Sequence, residues 1–280
     1  MEELKDPIHY NTLVLSGGSI KGCCLLGALQ YFYDKGQLSN ITKYVGTSIG
    51  AIICYLLAIG YTPLELIVYT CTKMSFQFIF NIVAMTQGSG ATSYYKIQEH
   101  LEHLTMKKLG TFYTLKDLQL RLGKSLICTT YNETLSMVEY LSPESYPELP
   151  CLTALRMSCN LPLIFDRFEY KNNFYLDGGL ADNFPIDVVD IQGNKILGLY
   201  IENKSEQKQS EWNILDYIYK LMFIPIHQNT HHKVKNISDR CTILGLTSPQ
   251  LGFFSINQSS TIKLEMFSSG YEEAKKFLNK

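Results

Sequence analysis

The sequence predicts an α/β fold, with a mostly parallel central sheet flanked by helices. Three observations carry this expectation. Thr12-Leu13-Val14-Leu15 is a short β-prone apolar run ending in Ser16-Gly17-Gly18. Apolar residues then continue from Cys23 to Phe32 and stop near Lys35-Gly36, so the stretch reads as strand, glycine turn and helix. The same unit follows at once: Tyr44-Val45 ends a strand, Gly46 to Gly50 make a turn, and Ala51 to Ile59 make a helix that stops at Gly60. Two consecutive units of this kind place parallel strands side by side with helices on the sheet faces. The chain is also long and apolar enough for a sizeable core, at 280 residues and 46% hydrophobic content.

The other elements follow in order. Pro63 suits the first position of a helix over Leu64 to Thr70. Met74 to Met85 is strongly apolar and runs into Gln87-Gly88-Ser89-Gly90, a break. Tyr94 to Leu104 reads as helix. Lys124 to Thr130 and Leu135 to Leu141 read as a strand pair around Asn132-Glu133, and Pro150 to Cys159 as a further helix. Phe168 to Tyr170 and Phe174 to Leu176 flank a hairpin turn at Lys171-Asn172-Asn173. Lys195 to Glu202 is a strand, Asn203 to Ser210 a polar loop, Trp212 to Ile224 an apolar-aromatic segment, Cys241 to Leu246 a strand and Ser260 to Leu278 a closing helix. No internal repeat and no clean linker divides the chain, so one domain over residues 1–280 is expected, its motif-bearing core at about 12–190 and its completion at 191–280.

A formal net charge of -1 gives no reason to expect a nucleic-acid partner. The 8 cysteines form no C-x-x-C pair and sit mostly in apolar runs, which reads as free thiols in a reducing compartment. Met1 to Pro7 lacks a basic region followed by an apolar run, so no secretory signal is expected. The longest apolar stretch, Ser48 to Ile59, falls short of the roughly 20 residues of a membrane span and reads as a buried helix. An intracellular location, cytoplasmic or peripheral to a membrane, is the expectation.

Three segments could carry chemistry. Gly46-Thr47-Ser48-Ile49-Gly50 has the form G-x-S-x-G between a strand and a helix. A nucleophile elbow places serine there, at a helix N-terminus whose dipole and free N–H groups favour negative charge. An ordinary glycine turn with Ser48 as helix cap fits the same residues. Ser16-Gly17-Gly18-Ser19-Ile20-Lys21-Gly22 can converge backbone N–H groups on an oxyanion. A phosphate loop is disfavoured, because neither G-x-x-x-x-G-K-[ST] nor G-x-G-x-x-G is present, and a tight packing turn is the plain alternative. Asp177-Gly178-Gly179 follows a strand and offers a rigidly held carboxylate as general base, or merely a turn. A histidine could serve as base instead, from among His9, His100, His103, His227, His231 and His232. The order Ser48, Asp177, then His231 or His232 would match a hydrolase triad. Those late histidines lie in a polar loop beside Lys233 and Lys235 and are expected to be solvated. His100 and His103, with Glu99 beside them, read as exposed helix surface or as part of a metal site.

Taken together, the three segments in this order resemble the patatin-like phospholipase family, over about Thr12 to Asp190. Ser158 to Phe165 (SCNLPLIF), Asp182-Asn183-Phe184-Pro185 and Gly270-Tyr271-Glu272-Glu273-Ala274 are similar to further family segments. The resemblance implies a three-layer α/β/α catalytic domain and a serine acyl-hydrolase that cleaves lipid acyl esters, phospholipids above all, with no metal and no organic cofactor. It implies that Ser48 is the nucleophile and Asp177 its base. Gly17, Gly18 and Ser19 would form the oxyanion hole, with Lys21, Gly22, Gly46, Gly50, Gly178 and Gly179 as supporting motif residues. Lys21 would serve loop architecture or contact anionic lipid. Ser19 departs from the family, which commonly has a third glycine there; a positive φ would cost serine about 1–2 kcal/mol. A lipid substrate at a membrane or micelle surface is the implied partner. Phe76, Phe78, Ile79, Phe80 and Val83, or Phe253-Phe254, are candidates for that contact or for core packing, and Met74 to Met85 is expected to form a cap over the acyl site.

Overall fold

A computed structural model describes residues 9–74, 90–202, 214–248 and 258–279. The expected cap, its phenylalanines, the Gln87-Gly88-Ser89 break, the Asn203 to Ser210 loop and Phe253-Phe254 lie outside the described residues.

The two strand–turn–helix units form as expected. Strand β1 (Thr12–Leu15) leads into helix α1 (Gly22–Asp34), and β2 (Lys43–Thr47) into α2 (Ile49–Ala58). β1 is buried throughout and pairs in parallel with both β2 and β7 (Ile196–Glu202). Its side chains alternate between two apolar layers. Leu13 and Leu15 pack in the cluster that holds α1 and α2, whereas Val14 packs with Val45, Ile127, Phe184 and Ile186 on the other face. A sheet covered on both sides is what a run of consecutive apolar residues demands.

Three further helices form as read: α3 (Pro63–Thr72), α4 (Tyr95–Leu109) and α6 (Cys151–Ser158). Pro63 follows a capping box between Thr62 and Glu65. A helix that the sequence reading passed over, α5 (Leu115–Leu122), is stabilised by a capping box between Thr114 and Asp117. The remaining strands are β3 (Ser125–Asn132), β4 (Met137–Leu141), β5 (Phe168–Tyr170), β6 (Asn173–Asp177) and β8 (Cys241–Thr247). The β5–β6 turn is shorter than expected. Tyr170 already pairs with Asn173, and Lys171 and Asn172 take φ of 49° and 63°, as a type I′ turn requires.

Hydrogen bonding runs in the order β5-β6-β3-β2-β1-β7-β8, with β4 also paired to β3. β4 lies along Cys128 to Asn132 on one edge of β3. The other edge is shared by two strands. β2 runs parallel to Ser125 through Thr129, and β6 runs antiparallel along Asn132 back to Thr130. The C-terminal ends of β2 and β6 therefore meet head-on, Thr47 opposite Thr129 and Asp177 opposite Thr130.

Helix α7 (Ile214–Lys235) corrects one expectation. It contains Pro225 and continues through the stretch read as a polar segment, so His227, His231 and His232 are helical and exposed. The turns beyond the proline are held by burial of Ile226 and Thr230. The chain closes with helix α8 (Ser260–Leu278), which packs against α1.

Candidate active site

Ser48 is the residue between β2 and α2, with φ 55° and ψ -125°. That is a left-handed conformation that a side-chain-bearing residue adopts only when its surroundings impose it. The flanking glycines are what let the turn close. A Cβ on Gly46 would lie 2.5 Å from the Ala51 nitrogen, and one on Gly50 would lie 2.5 Å from the Leu15 oxygen. Ser48 N–H donates to Ser158 Oγ at 2.9 Å, which fixes the turn to the end of α6.

Because β2 and β6 end face to face, Ser48 meets Asp177. The Ser48 hydroxyl donates to Asp177 Oδ2 at 2.6 Å, and Gly179 N–H donates to Oδ1 at 2.7 Å. The carboxylate is 3% exposed. Burial pushes its pKa from 3.8 up to about 6, against the opposing pull of the hydrogen bonds from Ser48 and Gly179.

The glycine-rich loop after β1 reaches the same place. A Cβ on Gly17 would stand 3.4 Å from Ser48 Cβ. The Gly17 amide is committed to Asn183 O at 3.2 Å. The amides of Gly18 and Ser19 make no hydrogen bond to any other described residue. Ser19 has φ 52°, so the serine that stands in place of a third glycine does sit in the left-handed region. Lys21 is half-buried at the end of the short turn Ser19–Lys21, and Gly22 packs under Ile49.

Residues of two of the further family-like segments, together with others that the sequence reading passed over, hold this pair. Asp177 N–H donates to Asn160 O at 2.9 Å, and the Asn160 side chain donates to Tyr175 O at 2.6 Å. Arg156 donates to Asn160 Oδ1 at 2.6 Å while its guanidinium lies over Tyr94 and Phe168. The signal for Arg156 was a lone arginine inside the apolar run Cys151 to Met157, which has to be partnered once buried. Asp182 accepts from Tyr140 at 2.8 Å and from Lys233 at 2.7 Å, tying α7 to the segment after Gly178-Gly179. Among the histidines, His100 lines the same cavity as Ser48 and Asp177. His9, His103, His227, His231 and His232 are exposed, and His100 shares a hydrogen bond of 2.8 Å with the Tyr69 hydroxyl.

Ser48, Asp177 and Ser19 open on a cavity of about 440 Å³. Its walls are mostly aliphatic, from α1, α2, α3 and α4, with Leu26, Ile53, Leu56, Leu66 and Leu101 among them. Such a site can take the proton of a serine hydroxyl as that oxygen attacks a carbonyl, and can bury a hydrocarbon chain.

Comparison with known proteins decides the family. The profile of the patatin-like phospholipases matches residues 13–190. A probable lipid hydrolase, 463L, of Invertebrate iridescent virus 6 is 34% identical over 276 residues, which cover 96% of this chain and 89% of that protein. The chain belongs to the patatin-like phospholipase family. Two solved structures share the patatin-like fold at low identity. VipD from Legionella pneumophila has a TM-score of 0.60 at 16% identity, covering 97% of this chain and 67% of its own. The type III effector ExoU has a TM-score of 0.55 at 13% identity, and this patatin-like chain spans 53% of its length. Among the described residues, no helix is long and apolar enough to cross a membrane.

Proposed function

We propose that the protein is a serine acyl-hydrolase that cleaves fatty-acyl esters of lipids, phospholipids foremost, through an acyl-enzyme on Ser48 with Asp177 as the base. The observation that carries this reading is the 2.6 Å hydrogen bond from Ser48 to the buried Asp177 carboxylate at the wall of an aliphatic cavity. Ser48 Oγ attacks the ester carbonyl as its proton passes to Asp177 Oδ2. The Gly18 and Ser19 amides receive the oxyanion, a contribution of about 2.7–4 kcal/mol per donor in comparable sites. Asp177 then returns the proton to the departing alcohol oxygen, leaving the acyl group on Ser48. Water attacks the acyl-enzyme with Asp177 again taking the proton, and the fatty acid leaves. A pKa near 6 suits both halves of this cycle at neutral pH, since the carboxylate is ionised when needed as base yet basic enough to hold a proton in transit. The lipid would be met at a membrane or micelle surface.

The test is a panel of vesicle or micelle substrates (phospholipid, lysophospholipid and triacylglycerol) with the wild type, Ser48→Ala and Asp177→Ala. Hydrolysis by the wild type and at least a thousandfold loss in both variants is expected, with phospholipid the best substrate. Preference for triacylglycerol would move the assignment to a neutral-lipid hydrolase. Folded protein without activity on any member would leave a lipid-binding role.

A further inference from the structure

The buried stripe of helix α8 is Lys263, Met266, Gly270 and Ala274, spaced as the core face of a helix. Three of these are apolar or small; the first is a lysine, 5% exposed. Its ammonium donates to two backbone oxygens, Thr70 O at 3.2 Å and Met74 O at 3.1 Å, at and beyond the C-terminal end of α3. Both acceptors are neutral, so among the described residues the charge has no acidic partner. The segments 75–89 and 249–257, which adjoin this corner in sequence, contain no Asp or Glu. A methionine or leucine would fill the position without the cost of desolvating a cation. Among the described residues the ammonium has these two acceptors and no third.

Lys263 also lines the cavity that holds Ser48 and Asp177, together with Ser259 and Thr70. Ser259 caps the N-terminus of α8 by accepting from Ile262 N–H, and among the described residues its own hydroxyl proton has no acceptor. The helix N-terminus and the ammonium favour negative charge at the same wall. One cavity thus joins an acyl-transfer pair, an aliphatic chamber and a buried cation.

We propose that Lys263 is the anion-recognition residue of this cavity, binding the phosphate of an acyl lipid and so selecting phosphate-bearing substrates over neutral acylglycerols. The proposal rests on the lipid-hydrolase reading for its substrate and names the head-group chemistry within it. A neutral lipid leaves the third proton unpaired, whereas a phosphate oxygen receives it in a charge-assisted bond.

The experiment has two arms. In the first, octanoyl glycerol phosphate and octanoyl glycerol, which differ only in the phosphate, are hydrolysed by wild type, Lys263→Met and Lys263→Arg. The ratio of their kcat/KM values is expected to fall about tenfold in Lys263→Met, mainly through KM, and to be retained in Lys263→Arg. An unchanged ratio in Lys263→Met would reduce the lysine to a cap on α3 and overturn the proposal. In the second arm, calorimetry follows octyl phosphate, octanol and inorganic phosphate binding to Ser48→Ala protein with Lys263 intact. Octyl phosphate is expected to bind at least about tenfold tighter than either. Equal affinity for octanol, or for inorganic phosphate, would overturn it. This arm reads binding without turnover, so it stands if Ser48 proves not to be the nucleophile, and its repeat in Lys263→Gln, expected to lose the preference for octyl phosphate over octanol, assigns the anion to Lys263 even if Lys263→Met does not fold; an undiminished preference would overturn the proposal.

Discussion

At the scale of single residues, Asp177 and Ser48 both carry a cost to stability, a buried carboxylate and a positive φ. The native state holds the Asp177 proton more tightly than the unfolded chain does, because burial lifts the pKa from 3.8 to about 6. The group therefore favours the fold fully below pH 3.8, and that contribution is lost as pH rises through about 6. Asp177→Asn removes the cost, so thermal melts at pH 8 should show the variant more stable than the wild type, by up to roughly 3 kcal/mol. The advantage should shrink as the pH is lowered through the same window. In the proposed mechanism Asp177 acts as the ionised base, so the pH profile of kcat/KM should fall on its acid side with a midpoint near pH 6. Ser48 carries backbone strain at φ 55°. Ser48→Gly should therefore be inactive yet more stable than Ser48→Ala by about 1–3 kcal/mol, measured by urea unfolding.

At the scale of elements, α1 and α8 are in direct backbone contact. A Cβ on Gly27 would lie 1.8 Å from Phe267 O, and one on Gly270 would lie 2.0 Å from Cys24 O, so each backbone rests directly on the other. Gly270→Ala should separate the helices and cost about 1–3 kcal/mol or more, read as a lower melting temperature. It should also weaken octyl phosphate binding, because α8 carries Lys263 into the cavity wall. These glycines explain why the Gly270-Tyr271 segment was recognisable in the sequence although it holds no chemistry. Most elements were legible because their signals are local: β1 and β2 end in glycine turns, and α3 starts at Pro63. Two signals misled. α5 opens on Thr114 and Asp117 instead of the more familiar pairing with Glu or Gln, and it was passed over although Leu115 and Leu118 form its buried face. The polar composition around His231 and His232 read as a loop, but burial of Ile226 and Thr230 carries α7 past Pro225 and through it.

At the scale of the whole molecule, the site exists because two strands converge. β2 arrives parallel to β3 and β6 antiparallel on the same edge, so residues 129 positions apart in sequence share a hydrogen bond. The identities of Ser48 and Asp177 were legible from their glycine-flanked turns. Their meeting was implied only by the family resemblance, since antiparallel pairing of β6 onto an otherwise parallel region is a long-range choice that no local pattern records. The same holds for Ser158 and Asn160, whose hydrogen bonds to Ser48 and Asp177 depend on where α6 docks. Lys263 was invisible for the opposite reason: a lysine in a charged C-terminal helix reads as solvated until the helix is packed. The central claim is that Ser48, deprotonated by Asp177, becomes acylated. The most direct test is intact-protein and peptide mass spectrometry after reaction with an alkyl fluorophosphonate, on wild type and on folded Asp177→Asn. One adduct on Ser48 is expected in the wild type, forming at least a hundredfold more slowly in Asp177→Asn. An adduct on another residue, or labelling of Asp177→Asn at the wild-type rate, would contradict the account.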